Sequence, residues 1–403
     1  MKSTFLNVGH LPTIAAAFFY FGTACFVWVL LGAMGIHIAN DLGLTPAQKG
    51  LMIATPMLVG ALLRPIAGVL VDQFKPKRAG IFDQLLVIAA LAIAWIVGVH
   101  SFQGVLLLGM FLGVSGVAFA VALPLASRWY PPEHQGKAMG IVGAGTCGAA
   151  FAALLAPGLA TAYGWNNMLG LAVIPAVLAL LLYLWAAKDS PDCPPAKPLG
   201  DYFKVLRDRD AWWFMLFYGV TFGGFVGLAS SLTIYFHDQY QLAPVSAGYF
   251  AAVCSFAGSL SRPLGGALAD RIGGIRTLTM LYAGAAAFII IASFELSSMW
   301  FALVVFSCAM LCMGMGNGAV FQLVPQRFHR EIGVMTGLVG MAGGLGGFWL
   351  ASSLGYSKQL TGSYTVGLLA FAALALLALA GLIGVKTRWR TTWGAAHLSA
   401  AKV

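Results

Sequence analysis

Along this chain, apolar stretches of about 20 residues alternate with short polar turns such as "NDLGLTPAQ", "DQFKPKR" and "HDQYQLAP". An α-helix rising 1.5 Å per residue needs about 20 apolar residues to cross the hydrocarbon core of a bilayer. Twelve stretches qualify, beginning near residues 12, 50, 80, 104, 138, 168, 212, 247, 278, 299, 332 and 363. The pattern predicts an all-α integral membrane protein with 12 transmembrane helices.

Composition agrees with this pattern. Of 403 residues, 60% are hydrophobic and only 9% charged, where an ordinary soluble domain carries roughly a quarter charged residues. The net charge of +10 does not indicate a nucleic-acid partner, because it follows from where the basic residues fall. With both termini in the cytoplasm, 19 of the 23 lysines and arginines lie in cytoplasmic segments, two (Lys49 and Lys358) lie outside, and Arg64 and Arg262 lie within helices. Basic residues near helix ends are retained on the cytoplasmic side, so the expected location is the inner membrane, multi-pass. The first apolar run has no small-residue cleavage site and reads as a retained helix.

All six cysteines except Cys193 fall in predicted helices and read as small buried side chains. Cys308 and Cys312, one helical turn apart, have neither zinc nor redox spacing, and no metal or cofactor is expected. There is no HExxH motif, no GxSxG elbow and no soluble output domain, which argues against a membrane enzyme or sensor.

The chain repeats itself. "GALLRPIAGVLVDQ" at 60–73 returns as "GSLSRPLGGALADR" at 258–271, and "GIVG" at 140–143 returns as "GLVG" at 337–340. We read two six-helix halves, 1–187 and 212–385, joined by a cytoplasmic linker at 188–211 and followed by a cytoplasmic tail at 386–403, with Trp389 and Trp393 expected at the headgroups. Such repeats mark transporters, whose substrate sits between the halves near mid-membrane. Glycines four apart, as at Gly136/Gly140, Gly333/Gly337, Gly340/Gly344 and Gly343/Gly347, let helix backbones approach closely. Gly143, Gly145, Gly340, Gly343 and Gly344 are the candidates for lining a moving pathway.

Each copy of the longer repeat carries an arginine in lipid-soluble surroundings. Arg64 lies eight residues above Asp72 and Arg262 eight above Asp270, roughly 12 Å of helix, too deep for easy snorkelling. Such a residue costs about 2.5–3.5 kcal/mol on insertion scales. Of the thirteen acids, eleven fall in loops or at helix ends, and Asp83 and Glu295 are predicted inside helices near an end. No carboxylate is predicted at the arginines' depth, so the candidate counter-charge is an anionic substrate. Guanidinium is planar, permanently charged and offers a donor fork that matches flat oxyanions. A small, flat, singly charged anion is implied.

"GGALADRIGG" at 265–274 resembles the loop motif of the major facilitator superfamily, with Gly266, Asp270, Arg271 and Gly273 in their places; the first copy, Gly68, Asp72, Lys77 and Arg78, is more degraded. More specifically, "GMGNGAVFQLVPQRF" followed by "TGLVGMAGGLGGFWL" resembles the tenth and eleventh helices of the nitrate/nitrite porter (NarK-type) family. The resemblance implies the major facilitator superfamily fold and an anion held between one arginine from each half, here Arg64 and Arg262. It implies two sandwiching rings, matched by Phe119 and Phe222, and a hydrogen-bonding tyrosine, matched by Tyr218. The family's first nitrate signature carries an asparagine where this chain has Thr146; a hydroxyl has one donor where an amide has two, which leaves the preference between nitrate and nitrite open. Asn317 on the tenth helix is assigned to packing.

The expected function is secondary transport of nitrate and/or nitrite by alternating access, as nitrate/nitrite exchange, in a monomer. Exchange of two monovalent anions is electroneutral, and no acid or histidine is predicted at mid-membrane, with His37, His100 and His237 near the outer surface. Proton-coupled nitrate symport, or carriage of another small anion such as an organic acid, is the alternative. Asp72, Asp270, Arg271 and Arg128 are the candidates for a cytoplasmic gate.

Overall fold

A computed structural model describes residues 9–191, 204–328 and 332–392, with side chains for all of these except 72, 132–137 and 332–333. Twelve long helical segments fill these residues. They are α1 (11–42, in pieces Leu11–Trp28, Leu30–Ala33 and Gly35–Leu42), α2 (Pro46–Phe74), α3 (Pro76–Val97) and α4 (Phe102–Ser127). Then follow α5 (132–163, tightened to a 3₁₀ turn at Ala144–Thr146), α6 (Trp165–Ala186), α7 (Arg209–Tyr240) and α8 (Pro244–Ile272). The last four are α9 (Gly274–Ala292), α10 (Met299–Arg327), α11 (Ile332–Thr361) and α12 (Thr365–Thr391).

Several helices begin up to six residues before the apolar run that predicts them, because capping chemistry extends them into polar sequence. Pro46, Pro76, Pro132 and Pro244 open α2, α3, α5 and α8, positions where a missing N–H costs nothing. Thr45 and Gln48 close a reciprocal capping box before α2. Eleven of the helices are long and apolar enough to cross a membrane. The one left out, α8, is 29 residues long but carries Arg262, Asp270 and Arg271.

The internal repeat is visible in the backbone. The α8–α9 break turns on Gly273 at φ 97°, ψ 140°, and the α2–α3 break turns on its counterpart Lys75 at φ 68°, ψ 147°. That region is essentially reserved for glycine, so the degraded first copy holds a strained lysine.

Helices α1 to α6 pack with one another, as do α7 to α12, and the two groups meet along α2 with α11, α5 with α8, and α1 with α7. The second helix of each half thus faces the fifth of the other. Glycine permits one of the close approaches inside a half: a Cβ on Gly60 would lie 2.9 Å from the Gly113 carbonyl and 3.1 Å from Gly116 Cα. That approach brings α4 against α2 beside Arg64.

Outward faces are apolar and exposed, including Phe82, Ile96, Trp185, Leu360 and Leu377, as a lipid-facing surface requires. At the end away from the linker, the halves are joined by Lys49 to Asp238 at 3.6 Å. Tyr364 donates to the same carboxylate at 2.8 Å, and the Ala47 N–H donates to Gln359 at 3.4 Å.

Three local expectations are corrected. Glu295 is not in a helix; α9 ends at Ala292 and Glu295 sits in the following turn at φ 49°. Helix α12 continues to Thr391, past the expected tail boundary, and Trp389 is fully buried rather than at the headgroups. It stacks on Phe214 with centroids 4.7 Å apart and donates to Asp210 at 2.8 Å. Asp210 also accepts from Arg327 at 3.0 Å and pairs with Arg388, so charge pairing holds the helix in the protein. Cys193, Trp393 and residues 192–203 of the linker lie outside the described residues.

Candidate anion site

Arg64 and Arg262 come together at the junction of the two halves. Both are buried, at 0% and 6% exposure. Proline follows each arginine inside its helix, Pro65 and Pro263, and breaks the local backbone ladder. Arg64 Nε donates to the Gly116 carbonyl of α4 at 2.9 Å, and Nη1 donates to the Gly340 carbonyl of α11. Arg64 therefore reaches from its own half into the other. Arg262 Nη2 donates to the Tyr218 hydroxyl at 3.0 Å.

At least one nitrogen of each guanidinium is left over. Arg64 Nη2 and Arg262 Nη1 are buried with no hydrogen-bond partner. Buried polar groups are almost always paired, so one unspent donor from each half at one place is the informative feature. Both arginines address the same two rings. Arg64 Cζ lies 5.2 Å from the Phe119 centroid and 5.3 Å from Phe222; Arg262 Cζ lies 5.8 and 6.0 Å from them. Stacking against aromatic faces supplies part of the compensation for burying guanidinium.

Tyr218 and Phe222, one turn apart on α7, stack at 5.0 Å and 5°. Because the Tyr218 oxygen accepts from Arg262, its own O–H remains available to a further acceptor. The Phe119 and Phe222 centroids are 6.0 Å apart with planes at 40°. A flat group between parallel rings needs about 7 Å, two van der Waals layers, so in this conformation the rings meet each other.

The candidate glycines lie at close contacts. A Cβ on Gly340 would lie 3.2 Å from Arg64 Cδ and from Phe119, and one on Gly343 would lie 2.7 Å from Phe222 and 2.9 Å from Tyr218. Gly143 is placed against Arg262 at 3.2 Å, Gly145 against the Phe18 carbonyl of α1 at 3.0 Å, and Gly344 against Ala61 at 2.7 Å. Thr146 is buried, but its hydroxyl donates to the Gly143 carbonyl at 3.0 Å. Its one donor is spent on its own helix.

Two rings escaped the sequence reading. Trp28 is the aromatic closest to Arg64, at 4.7 Å, and is fixed by donating to the Pro56 carbonyl at 2.8 Å. Phe321 lies 5.7 Å from Phe119, edge-on, and 6.0 Å from Arg262. Neither carries a local signal; Phe321 stands inside the quoted α10 motif but looks like any of the 27 phenylalanines.

Of the gate candidates, Asp270 and Arg271 are exposed at the end of α8 and Arg128 is half-buried, its carbonyl accepting from Ser190 at 2.9 Å. The Asp72 side chain lies outside the described residues.

Comparison with known proteins supports the fold and the family. The family model described as Major Facilitator Superfamily matches residues 16–351. A nitrite extrusion protein of Bacillus subtilis is 32% identical over 351 residues, 87% of this chain and 88% of that one. A probable nitrate/nitrite transporter NarK2 of Mycobacterium tuberculosis is 32% identical, covering 87% and 90%, and a probable nitrate/nitrite antiporter NarK1 of Thermus thermophilus is 31% identical, covering 83% and 82%. Among solved structures, a bacterial homologue of the human lysosomal transporter Spinster superposes with a TM-score of 0.70 at 16% identity, covering 93% of this chain and 96% of that one. The human organic anion transporter MFSD10 does so with 0.70 at 15%, covering 93% and 99%; both speak to the fold. The chain is a multi-span membrane protein belonging to the major facilitator superfamily and, within it, to the family of these nitrate and nitrite transporters.

Proposed function

We propose that this protein carries nitrate and nitrite across the inner membrane by alternating access, exchanging one for the other, with both termini in the cytoplasm and a single chain as the working unit. The observation that carries the reading is the pair of unspent guanidinium donors, Arg64 Nη2 and Arg262 Nη1, one per half, over the shared rings Phe119 and Phe222. Nitrate and nitrite are flat and singly charged, and would accept from both arginines and from Tyr218 while lying between the rings once these part. Thr146 joins only if its hydroxyl leaves Gly143.

The cycle follows from charge. Two facing cations resist approach, and one bound anion neutralises much of that repulsion, so the halves rock together when loaded. Arg64 must release Gly340 and the Lys49–Asp238 pair must open for the far side to gain access. Asp72 and Asp270, with Arg128 and Arg271, would latch the cytoplasmic end in the opposite state. Moving one negative charge into a negative-inside cell costs about 2.3 kcal/mol per 100 mV, and exchange avoids that cost.

The test is uptake of labelled nitrate into proteoliposomes loaded with nitrite, against empty ones, without a pH gradient. Uptake that requires internal nitrite supports exchange. Uptake only under an inward proton gradient would replace it with symport, and no uptake under either condition would point to a different anion.

A further inference from the structure

Behind the anion site, inside the first half, lies a small, mostly apolar cavity of about 20 Å³ whose lining includes Tyr20, Thr23, Asp83, Gln84 and Ser115. This is room for about one water molecule. Asp83 lies seven residues into α3, roughly 10 Å of helix from its start, and is 4% exposed. The Tyr20 hydroxyl donates to its Oδ2 at 2.5 Å, while Asp83 Oδ1 and Gln84 Oε1 are both buried without a partner. The Gln84 amide cannot be turned to help, because its Nε2 donates to the Gly80 carbonyl at 3.1 Å. Ser115 donates to the Leu112 carbonyl at 2.6 Å. Both residues line the cavity, and their two buried acceptors need a donor.

We propose that Asp83 is a proton-binding site in this conformation, with the proton on Oδ1, and that this proton is linked to the anion held by Arg64. A proton on Oδ1 turns an orphaned acceptor into a donor and removes an otherwise uncompensated charge from an apolar half. The groups facing the carboxyl are Tyr20 from α1, with Tyr183 of α6 against its ring at 5.0 Å, Ser115 from α4, and Gln84 on its own helix. Arg78, also on α3, reaches the lipid-facing groove that Asp83 borders. Among the described residues, no histidine and no second acid lines the cavity.

The link to the anion runs through two adjacent residues of α4. Ser115 lines the cavity, and the next residue, Gly116, accepts from Arg64 Nε. With Asp83 neutral, the field of Arg64 is directed at the anion; with Asp83 ionised, a second negative charge competes for it from behind. Anion affinity therefore falls when the proton leaves, and by reciprocity anion binding draws a proton in. A carrier loaded with both moves no net charge, which adds a proton-coupled mode to exchange. This inference rests on the anion reading, and its test separates the two.

The experiment compares purified wild-type protein and Asp83→Asn across pH, reading the infrared carbonyl band of protonated carboxyls and nitrate binding by calorimetry. The expected result is a wild-type band that is missing from Asp83→Asn and disappears as pH rises. Nitrate affinity should fall at least about fivefold, within the usual range of linked sites, over the same pH interval in the wild type, and stay flat in Asp83→Asn. Tyr20→Phe serves if Asp83→Asn does not fold; removing the hydrogen bond to the ionised form moves the transition to higher pH. Identical spectra, or the same pH dependence of binding in both proteins, overturns the proposal. Nitrate affinity that depends on sodium at fixed pH, only in wild type, overturns it in favour of a cation in the cavity. If the band titrates but neither protein binds nitrate at any pH, the anion reading fails and the proton site stands.

Discussion

Replacing Arg64 with lysine keeps the charge and removes the geometry, which makes it the sharpest probe of the anion clamp. Arg64 uses three nitrogens in three directions: Nε to Gly116, Nη1 to Gly340, and Nη2 unspent beside the rings. Lysine has one nitrogen on a stem without a planar fork. If it reaches the anion it abandons both carbonyls, and if it holds a carbonyl the anion loses a donor. Hydrogen bonds to charged groups are worth about 1.5–3 kcal/mol, and 1.4 kcal/mol is tenfold, so nitrate binding should weaken by about 10- to 100-fold. Arg64 also ties the halves together through Gly340, so turnover should change separately from affinity, as reopening no longer breaks that bond. The assay is nitrate dissociation constants by calorimetry alongside exchange rates in proteoliposomes, with thermal stability as a folding control. A well-folded Arg64→Lys protein that binds nitrate within about threefold of wild type would refute the reasoning, because a point charge would then suffice.

The remaining predictions address other parts of the molecule. Gly343→Ala would push its methyl against Phe222 and Tyr218, closer than Gly340→Ala would approach Arg64 and Phe119, so nitrate affinity should fall more for Gly343→Ala, as paired titrations would show. Asp238→Asn removes a partly exposed pair worth about 0.2–1 kcal/mol that joins the halves; spin-label distances across the end away from the linker should show a larger open population. Lys75→Gly relieves backbone strain of about 1–3 kcal/mol at a glycine entropy cost of about 0.5–1, so denaturation should show a net gain of roughly 1 kcal/mol. Asp210→Ala strips the Trp389 indole and Arg388 of an acceptor and leaves Arg327 with Asp208, and should cost about 1–3 kcal/mol, seen as a lower melting temperature.

Much of this was written in linear order. Twelve apolar runs, a repeat at a fixed offset and an arginine in each copy are local patterns, and the bilayer makes them decisive, because a backbone in hydrocarbon must satisfy its own hydrogen bonds. Helix existence therefore followed from length and hydropathy, and the candidate pair Arg64 and Arg262 from charge at depth. Boundaries were less legible. Prolines and caps carried α2 and α5 beyond their apolar cores, and the buried Asp210 drew Trp389 inward and paired with the exposed Arg388, against a reading of the aromatic tail sequence as interfacial.

Depth on a helix can be counted from residue numbers, but which way a side chain faces and what stands opposite it cannot. Asp83 reads as an acid near a helix end, and only the packing of α1, α4 and α6 around α3 makes it a buried carboxyl with one oxygen on Tyr20 and the other unpaired. Trp28 and Phe321 have the composition of ordinary core residues and became part of the site through where α1 and α10 cross it. Thr146, a plausible donor by type, turned its only hydrogen to its own helix. The sequence by itself determined how many helices there are and which two charges need an explanation. The tertiary structure decided which donors remain unspent, because hydrogen bonds to Gly116, Gly340 and Tyr218 join residues far apart in the chain and exist only once the helices have packed.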